Sequence, residues 1–394
     1  MPRFEPFAGV RYAAAHGLAD VTAPPYDVLS EAQRAEYATR DPHNVVHIDM
    51  PRDPSGAPDY KLAGDLYRQW LDEGVLVQDE RPSYTIYRIR FTDAAGRERN
   101  SAGVLGGLEV VDEGAGDVLP HERTTPKDRA DRLELTRATE ANLSPVWALS
   151  LAEGVTGLLH APGAPLGAFV DETGVEHSVE RIDDPQRIGA IRDRIGAATA
   201  VIADGHHRYE VARAYRDERR VNAGAGPWDL TLAFVVELAE DQLTVAPIHR
   251  LLSGLPAGWE SHLDAYFERA PTEPAGPGTL NAMAAAGALA LVRGDGTTEL
   301  LVPRVGMFDG VDDLDTARLA HALRDVPYEV RYEADLDVVL TDVAAGRAGA
   351  AVFVRPVGVE AIQHLAAVRS LMPPKSTFFT PKLRTGLVIR PVAD

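Results

Sequence analysis

The segment Val201-Ile202-Ala203-Asp204-Gly205-His206-His207-Arg208-Tyr209-Glu210-Val211-Ala212 constrains this chain more than any other. A short β-branched run enters it and a helix-forming pattern leaves it. One acid, one glycine, two histidines and one arginine stand at the junction. The pattern predicts a strand, a tight turn and a helix start. A helix N-terminus carries unpaired N–H groups and a partial positive charge. With Arg208 and two imidazoles beside it, the turn is a candidate anion site, with phosphate as the anion. The same residues also suit a plain Asp-Gly turn, in which Asp204 caps the helix and the histidines pack or face solvent.

Lysine usage gives a second, independent clue. Of 40 Lys plus Arg, only Lys61, Lys127, Lys375 and Lys382 are lysine, leaving 36 arginines. A lysine that survives such a bias is one whose compact point charge a planar guanidinium does not replace. Three of the four fall in two dense polar segments, His121–Arg129 and Pro373–Lys382. Chance clustering is the competing explanation.

Composition narrows the function classes. A net charge of −19 and a pI near 5.1 argue against nonspecific binding to nucleic acid or an anionic membrane. A local basic pocket for a small anion remains compatible with that charge. The expected partner is therefore a small-molecule substrate, with no nucleic acid and no membrane. The chain has no cysteine, which removes thiolate nucleophiles, disulfides and Cys-ligated zinc. No apolar h-region follows Met1, and the stretch near Ala282–Val292 is too short to span a bilayer. A cytoplasmic location is the expectation.

A chain of 394 residues is expected to form two or three domains. Strands and helices alternate throughout, so the expected class is α/β in the mixed α+β sense. Expected domains are 1–150, 151–255 and 256–394. Ser30 reads as the cap of a helix through Tyr37, and Asn44–Asp49 as a strand. Tyr60–Glu73 reads as a helix ended by Gly74. Ser83–Phe91 and a second strand through Val110 flank the turn Asp93–Gly96. A helix through Glu140 precedes the strand Val146–Leu151, and Phe169–Val179 reads as a hairpin. Pro185–Ile195 is an expected helix, and Leu230–Leu238 a strongly apolar strand. Pro256–Trp259 and Pro271–Gly278 are expected linkers or domain edges. Toward the end, Leu387–Arg390 reads as a strand.

The chemical candidates follow from residue type. Gly205 permits a turn that a side chain blocks, and lets a ligand approach the backbone. Arg208 can clamp two phosphate oxygens. His206 and His207 point in different directions, so one contacts a ligand and the other supports the turn. Asp204 is a candidate base or ligand for a divalent cation. Glu122 is a second candidate base or metal ligand beside His121, with Lys127 a phosphate contact. A solvated helix start after Pro126 explains that segment equally well. Lys375, Ser376, Thr377 and Lys382 suit an oxyanion, although the Walker A glycines are missing. A capped loop is the alternative there. Tyr26 and Asp27, rigidly placed after two prolines, are candidate substrate contacts along with His121. His47 and Asp49 share a face of the expected strand, where a structural hydrogen bond is the simpler role for His47.

Together these segments resemble a bacterial and archaeal family of unknown function, number one thousand and fifteen in its series. The resemblance runs through Pro24-Pro25-Tyr26-Asp27-Val28, Asn44–His47, His121-Glu122-x-Thr124-x-x-Lys127, Asn142-Leu143-Ser144-Pro145, Ala203–Tyr209 and Pro374–Lys382 with Gly386-Leu387-Val388. Thr380 departs from the family's aromatic residue. Locally, Pro185–Ala212 resembles the phosphate-binding unit of the ParB/sulfiredoxin superfamily: helix, strand, Gly-x-x-Arg turn, helix. That group includes nucleotide-binding proteins and free-serine kinases with a similar Asp-Gly-His-His-Arg. The resemblance implies a ParB/sulfiredoxin-like unit embedded in a larger chain. It also implies phosphoryl transfer from ATP, ADP or pyrophosphate, as the Mg²⁺ complex, to a small hydroxyl compound such as L-serine. A nonenzymatic nucleotide-binding regulator and a metal-dependent phosphatase or hydrolase are the alternatives.

Overall fold

A computed structural model describes residues 1–93, 96–112, 114–120 and 129–393. The chain is mixed α/β and divides into two compact units. One falls within Met1–Pro120, Thr124–Thr244 and Pro381–Asp394; the other is built from Val245–Thr380.

The first unit is organised by a nine-stranded sheet. Its strands are β1 (Phe4–Glu5), β2 (Tyr84–Thr92), β3 (Glu98–Glu109), β4 (Val118–Pro120), β5 (Val146–Ser150), β6 (Ala164–Val170), β7 (Glu176–Ile182), β8 (Ala200–Asp204) and β9 (Leu230–Glu237). The order is β4-β8-β5-β9-β3-β2-β7-β6, with β1 added on β3. β4 with β8 and β5 with β9 are parallel; the other pairings are antiparallel. The run Leu230–Glu237 lies at the centre because its interior residues are buried on both faces. Ala233 and Val235 join a core with Ile86, Val104, Ile191 and Ile202. Phe234, on the opposite face, meets Tyr87 and Trp147 edge-on. Gly103 has no side chain because a Cβ there would stand 2.4 Å from the Phe234 ring.

Helices α1 (Glu31–Arg40), α2 (Val46–Asp49), α3 (Tyr60–Asp72), α4 (Arg129–Thr139), α5 (Pro185–Ile195) and α6 (His206–Ala223) belong to this unit. Ser30 closes a capping box with Gln33 at the start of α1, as the spacing predicts. Asp184 caps α5, whose limits match the sequence expectation. The hairpin, the paired strands before and after residues 93–96, and β9 also fall where the pattern puts them. Ala94 and Ala95 of that turn lie outside the described residues.

Several expectations fail. Asn44–Asp49 is not a strand. Asn44 is fully buried; its Oδ1 accepts the Val46 N–H at 3.0 Å and its Nδ2 donates to Asp20 O at 2.6 Å, which starts the short helix α2. The hydrogen bonds of the buried Asn44 side chain override the β preference of Val45, Val46 and Ile48. Leu387–Arg390 is not one regular strand either: Ile389 makes an isolated antiparallel bridge to Val10, and Arg390–Pro391 pairs with Ala141–Asn142.

No unit boundary falls at residue 150. β5 is an inner strand of the sheet, and the chain beyond it returns to supply β8 and β9. The division near 255 lies instead at Thr244, and the last residues from Pro381 rejoin the first unit. Pro256–Trp259 is therefore a turn inside the second unit, and Pro271–Gly278 runs there from the end of β11 into the helix Pro277–Ala286.

The second unit has an antiparallel six-stranded sheet of β10 (His249–Ser253), β11 (Phe267–Pro271), β12 (Leu289–Arg293), β13 (Thr298–Pro303), β14 (Glu329–Glu333) and β15 (Ala350–Phe353), ordered β11-β13-β12-β15-β10-β14. Successive residues face opposite sides. Leu289, Leu291 and Val352 enter one apolar cluster, while Ala290, Val292, Ala351 and Phe353 enter another.

Among the described residues no helix is long and apolar enough to cross a membrane.

Candidate functional site

The sheet order brings the site together. β8 runs antiparallel to β5, so the end of β8 lies beside the start of β5. Asp204 is paired with Trp147, and the register shifts between Ile202 and Asp204. A bulge of this kind re-aims a side chain at the end of a strand. The residues that lead into β5, Asn142-Leu143-Ser144-Pro145, thereby lie next to the turn.

Gly205 follows β8 and starts the 18-residue helix α6 from a left-handed conformation, φ +83°. A Cβ at this position would stand 2.9 Å from the Arg208 guanidinium. Glycine is thus required twice, by conformation and by space. Asp204 is not the helix cap, since no side chain caps α6. Its carboxylate instead joins two cations. Lys382 Nζ donates to Oδ1 at 2.7 Å and Arg208 Nη2 donates to Oδ2 at 2.7 Å. Lys382 arrives from the C-terminal segment that rejoins this unit, so two distant stretches of sequence meet at one carboxylate.

Electrostatics follow from that geometry. Burial pushes the Asp204 carboxyl up, but Lys382 and Arg208 outweigh it and hold the group at about 2. It is a fixed anion at neutral pH, with little affinity for a proton. Burial opposes charge on Arg208, whereas Asp27 and Asp204 stabilise it and raise its pKa overall. Asp27 Oδ2 lies 4.0 Å from Arg208 Nη2. The Arg208 fork is engaged by the protein: Nη1 donates to Pro145 O and Nη2 to Asp204. Its Nε is buried without a hydrogen-bond partner among the described residues. A direct two-oxygen clamp on phosphate therefore requires Arg208 to give up contacts it already has. Its present work is to fix the turn.

Beside Arg208 is a cavity of about 50 Å³ lined by Tyr26, Asp49, Arg132, Asn142, Ser144 and other residues. Arg132 extends from α4, which packs against α6. Its guanidinium stacks 4.3 Å from the Tyr26 ring centre and donates to the Asp49 carbonyl at 2.7 Å. Burial pushes the Asp49 carboxyl up, opposed by Arg132 and Arg208. Burial, with Asp27 nearby, pushes the Tyr26 hydroxyl up to about 12. Tyr26 is thus a neutral hydroxyl at the wall of the cavity. The space suits one small polar group, not a nucleoside.

The structure therefore brings together Tyr26, Asp27, Asp204, Gly205, Arg208 and Lys382 among the residues expected from sequence. His206 is buried and lies near enough to Asp204 to affect its charge, while His207 is half-buried. His121, Glu122 and Lys127 lie outside the described residues. Lys375, Ser376 and Thr377 belong to the second unit. Lys375 is exposed at φ +57°. Ser376 is fully buried; its hydroxyl donates to Pro373 O at 2.6 Å and lies 3.0 Å from Thr316 Oγ1. His47, pushed down by burial, bonds Ala38 O at 3.1 Å and serves the fold.

Sequence reasoning missed Arg132, and it paired Asp49 with His47 instead of with a cation. Arg132 is one of many charged residues on a helix, and nothing local marks it as buried. The Lys382–Asp204 pair was similarly hidden, although both residues were singled out.

No curated protein matches the sequence. Among solved structures, a conserved hypothetical protein from Pyrococcus furiosus is 12% identical at TM-score 0.37, covering 69% of this chain and 92% of that one. A free serine kinase variant in complex with ADP is 13% identical at TM-score 0.38, covering 69% and 89%. SbnI with a C-terminal truncation, from Staphylococcus aureus, is 12% identical at TM-score 0.38, covering 73% and 87%. A family model described as protein of unknown function (DUF1015) matches residues 4–317, which is most of the chain, and the chain belongs to that family.

Proposed function

We propose that this protein is a small-molecule phosphotransferase that moves a phosphoryl group from ATP, ADP or pyrophosphate to a hydroxyl acceptor, with free L-serine as the leading acceptor. The observation that carries this reading is the glycine turn at the start of α6. There a left-handed Gly205 opens the helix while Lys382, Asp204 and Arg208 form a linked charge chain beside it. The serine assignment rests on the likeness of Asp204–Arg208 to the motif of free-serine kinases.

Phosphoryl transfer asks a protein mainly for alignment and charge neutralisation. The α6 N-terminus contributes a partial positive charge directed at an anion. Lys382 adds a full one, oriented by Asp204. Arg208, tied to Pro145, keeps the turn rigid. Gly205 leaves the backbone accessible. The cavity at Tyr26 and Arg132 is sized for the small acceptor's polar end. Asp204, held at about 2, is a positioning residue in this scheme and not the base. Proton acceptance falls to Asp27, Glu122 or His206. Lys127 is a further candidate for neutralising the donor.

Mg²⁺ would reach the site with the donor, and would neutralise phosphate charge. Asp27 fits it better than Asp204, because Asp27 is two-fifths exposed while both Asp204 oxygens already accept from cations. A cytoplasmic setting, where such donors occur, goes with this reading.

The test is phosphorus NMR of the purified protein with Mg²⁺, L-serine and each donor in turn. Phosphoserine supports the proposal. Free phosphate alone makes the protein a hydrolase, and donor binding without turnover makes it a nucleotide-binding regulator.

A further inference from the structure

We propose that His16, Asp41 and His43 form a binding site for a divalent transition-metal ion of the zinc class, separate from the phosphate chemistry above. One ligand atom from each residue lies within 4.8 Å of the other two. The three come from two segments of the first unit. His16 follows the strand Val10–Tyr12, and Asp41 and His43 follow α1. Two imidazoles and a carboxylate are a donor set for borderline ions, and the chain has no thiolate to draw the metal elsewhere.

The surroundings hold the donors in place. Tyr12 donates its hydroxyl to His43 O at 2.7 Å. Asp41 Oδ1 accepts the His43 N–H at 2.7 Å. The His43 ring stands edge-on to His16 at 5.4 Å and edge-on to the buried Trp70 at 5.4 Å. The Asp41–His43 contact, at 3.3 Å, is explained as a local pair. That pair does not explain a second imidazole from a different loop converging on it. Donors about 2.0–2.1 Å from a tetrahedral zinc stand roughly 3.3 Å apart. Reaching that spacing needs at most about 1.5 Å of closure between ligand atoms, which side-chain rotation of these half-buried residues can make. Three protein donors leave one position for water or a further ligand.

Such an ion would clip the 13–17 loop to the segment that leads into Asn44 and α2. That helix carries Asp49, which lines the cavity beside Arg208. The cluster shares no residue with the lining of that cavity, so the ion would not be a reactant there.

The test is calorimetric titration of the metal-free, full-length protein with Zn²⁺, repeated with Co²⁺ by visible absorption. Wild type should show one site above the background from the other ten of its 12 histidines. His16→Gln and His43→Ala should each weaken that site at least tenfold, and Asp41→Asn should weaken it measurably. Zn²⁺ should raise the melting temperature of wild type and not of His16→Gln. His16→Gln lies on a surface turn, so it tests the site even if His43→Ala fails to fold. Equal affinity in wild type and His16→Gln overturns the proposal, as does the absence of any site above background.

Discussion

Replacing Lys382 with methionine asks how the turn is held. The change keeps the length of the side chain and removes the ammonium 2.7 Å from Asp204 Oδ1. Lys382 is 15% exposed and Asp204 20%, so solvent screens the pair weakly. Stripping a buried charge of its partner costs about 3–5 kcal/mol. Asp204 keeps Arg208, so the loss falls below that range. The carboxyl offers a second estimate. It is held at about 2 against an ordinary 3.8. At about 1.4 kcal/mol per unit, the depression that survives the opposing burial is worth about 2 kcal/mol. Lys382→Met should therefore cost about 1–2 kcal/mol at pH 7.

The sign with pH follows. A carboxyl whose folded pKa is depressed stabilises the fold above its unfolded pKa, and loses that contribution as pH falls through the folded one. The gap between wild type and Lys382→Met should be full at pH 7 and close as pH falls from about 4 toward 2. Urea unfolding by tryptophan fluorescence reads this. In a Trp259→Phe background the signal comes from Trp70, Trp147 and Trp228, all in the first unit. Equal midpoints at pH 7, or a gap that persists unchanged down to pH 3, would refute the reasoning.

Further outcomes are expected elsewhere. Asp204→Asn leaves Lys382 and Arg208 without their shared anion; it should destabilise the first unit by about 3 kcal/mol, which a cap-only role would not produce. Arg208→Lys keeps a charge but cannot span both Pro145 O and Asp204; donor affinity by calorimetry should fall at least tenfold, and an unchanged affinity removes Arg208 from the site. Ser376→Ala should cost about 1 kcal/mol in the unfolding of the second unit, because it deletes the hydroxyl bonded to Pro373 and Thr316. No loss would show that the buried hydroxyl contributes nothing to that loop.

Local signals were legible in the sequence and long-range ones were not. α5 starts at Asp184-Pro185, a cap and a first-turn proline, and its limits could be read directly. The Val201–Ala212 strand, turn and helix were legible for the same reason, since Gly205 and the change of period are local. Asn44 was misread because its side chain is held by burial against Asp20 and Thr22, residues more than twenty positions away. The unit boundaries were misread because Pro381–Asp394 crosses back to the first unit, which no composition change marks. The site was half legible. Residue types named Asp204, Arg208 and Lys382 separately. Only the antiparallel pairing of β8 with β5 and the return of the C-terminal segment show what each one touches.

The most direct test of the central claim compares wild type with Gly205→Ala for transfer of label to L-serine from a phosphorus-32 donor. Alanine at φ +83° is strained by about 1–2 kcal/mol and its Cβ displaces the Arg208 guanidinium, while the sheet is untouched. Wild type should label serine with at least one of ATP, ADP and pyrophosphate. Gly205→Ala, confirmed as folded by circular dichroism, should label it at least a hundredfold more slowly. Equal rates would place the donor away from the turn, and the absence of labelled serine from wild type with every donor would contradict the account.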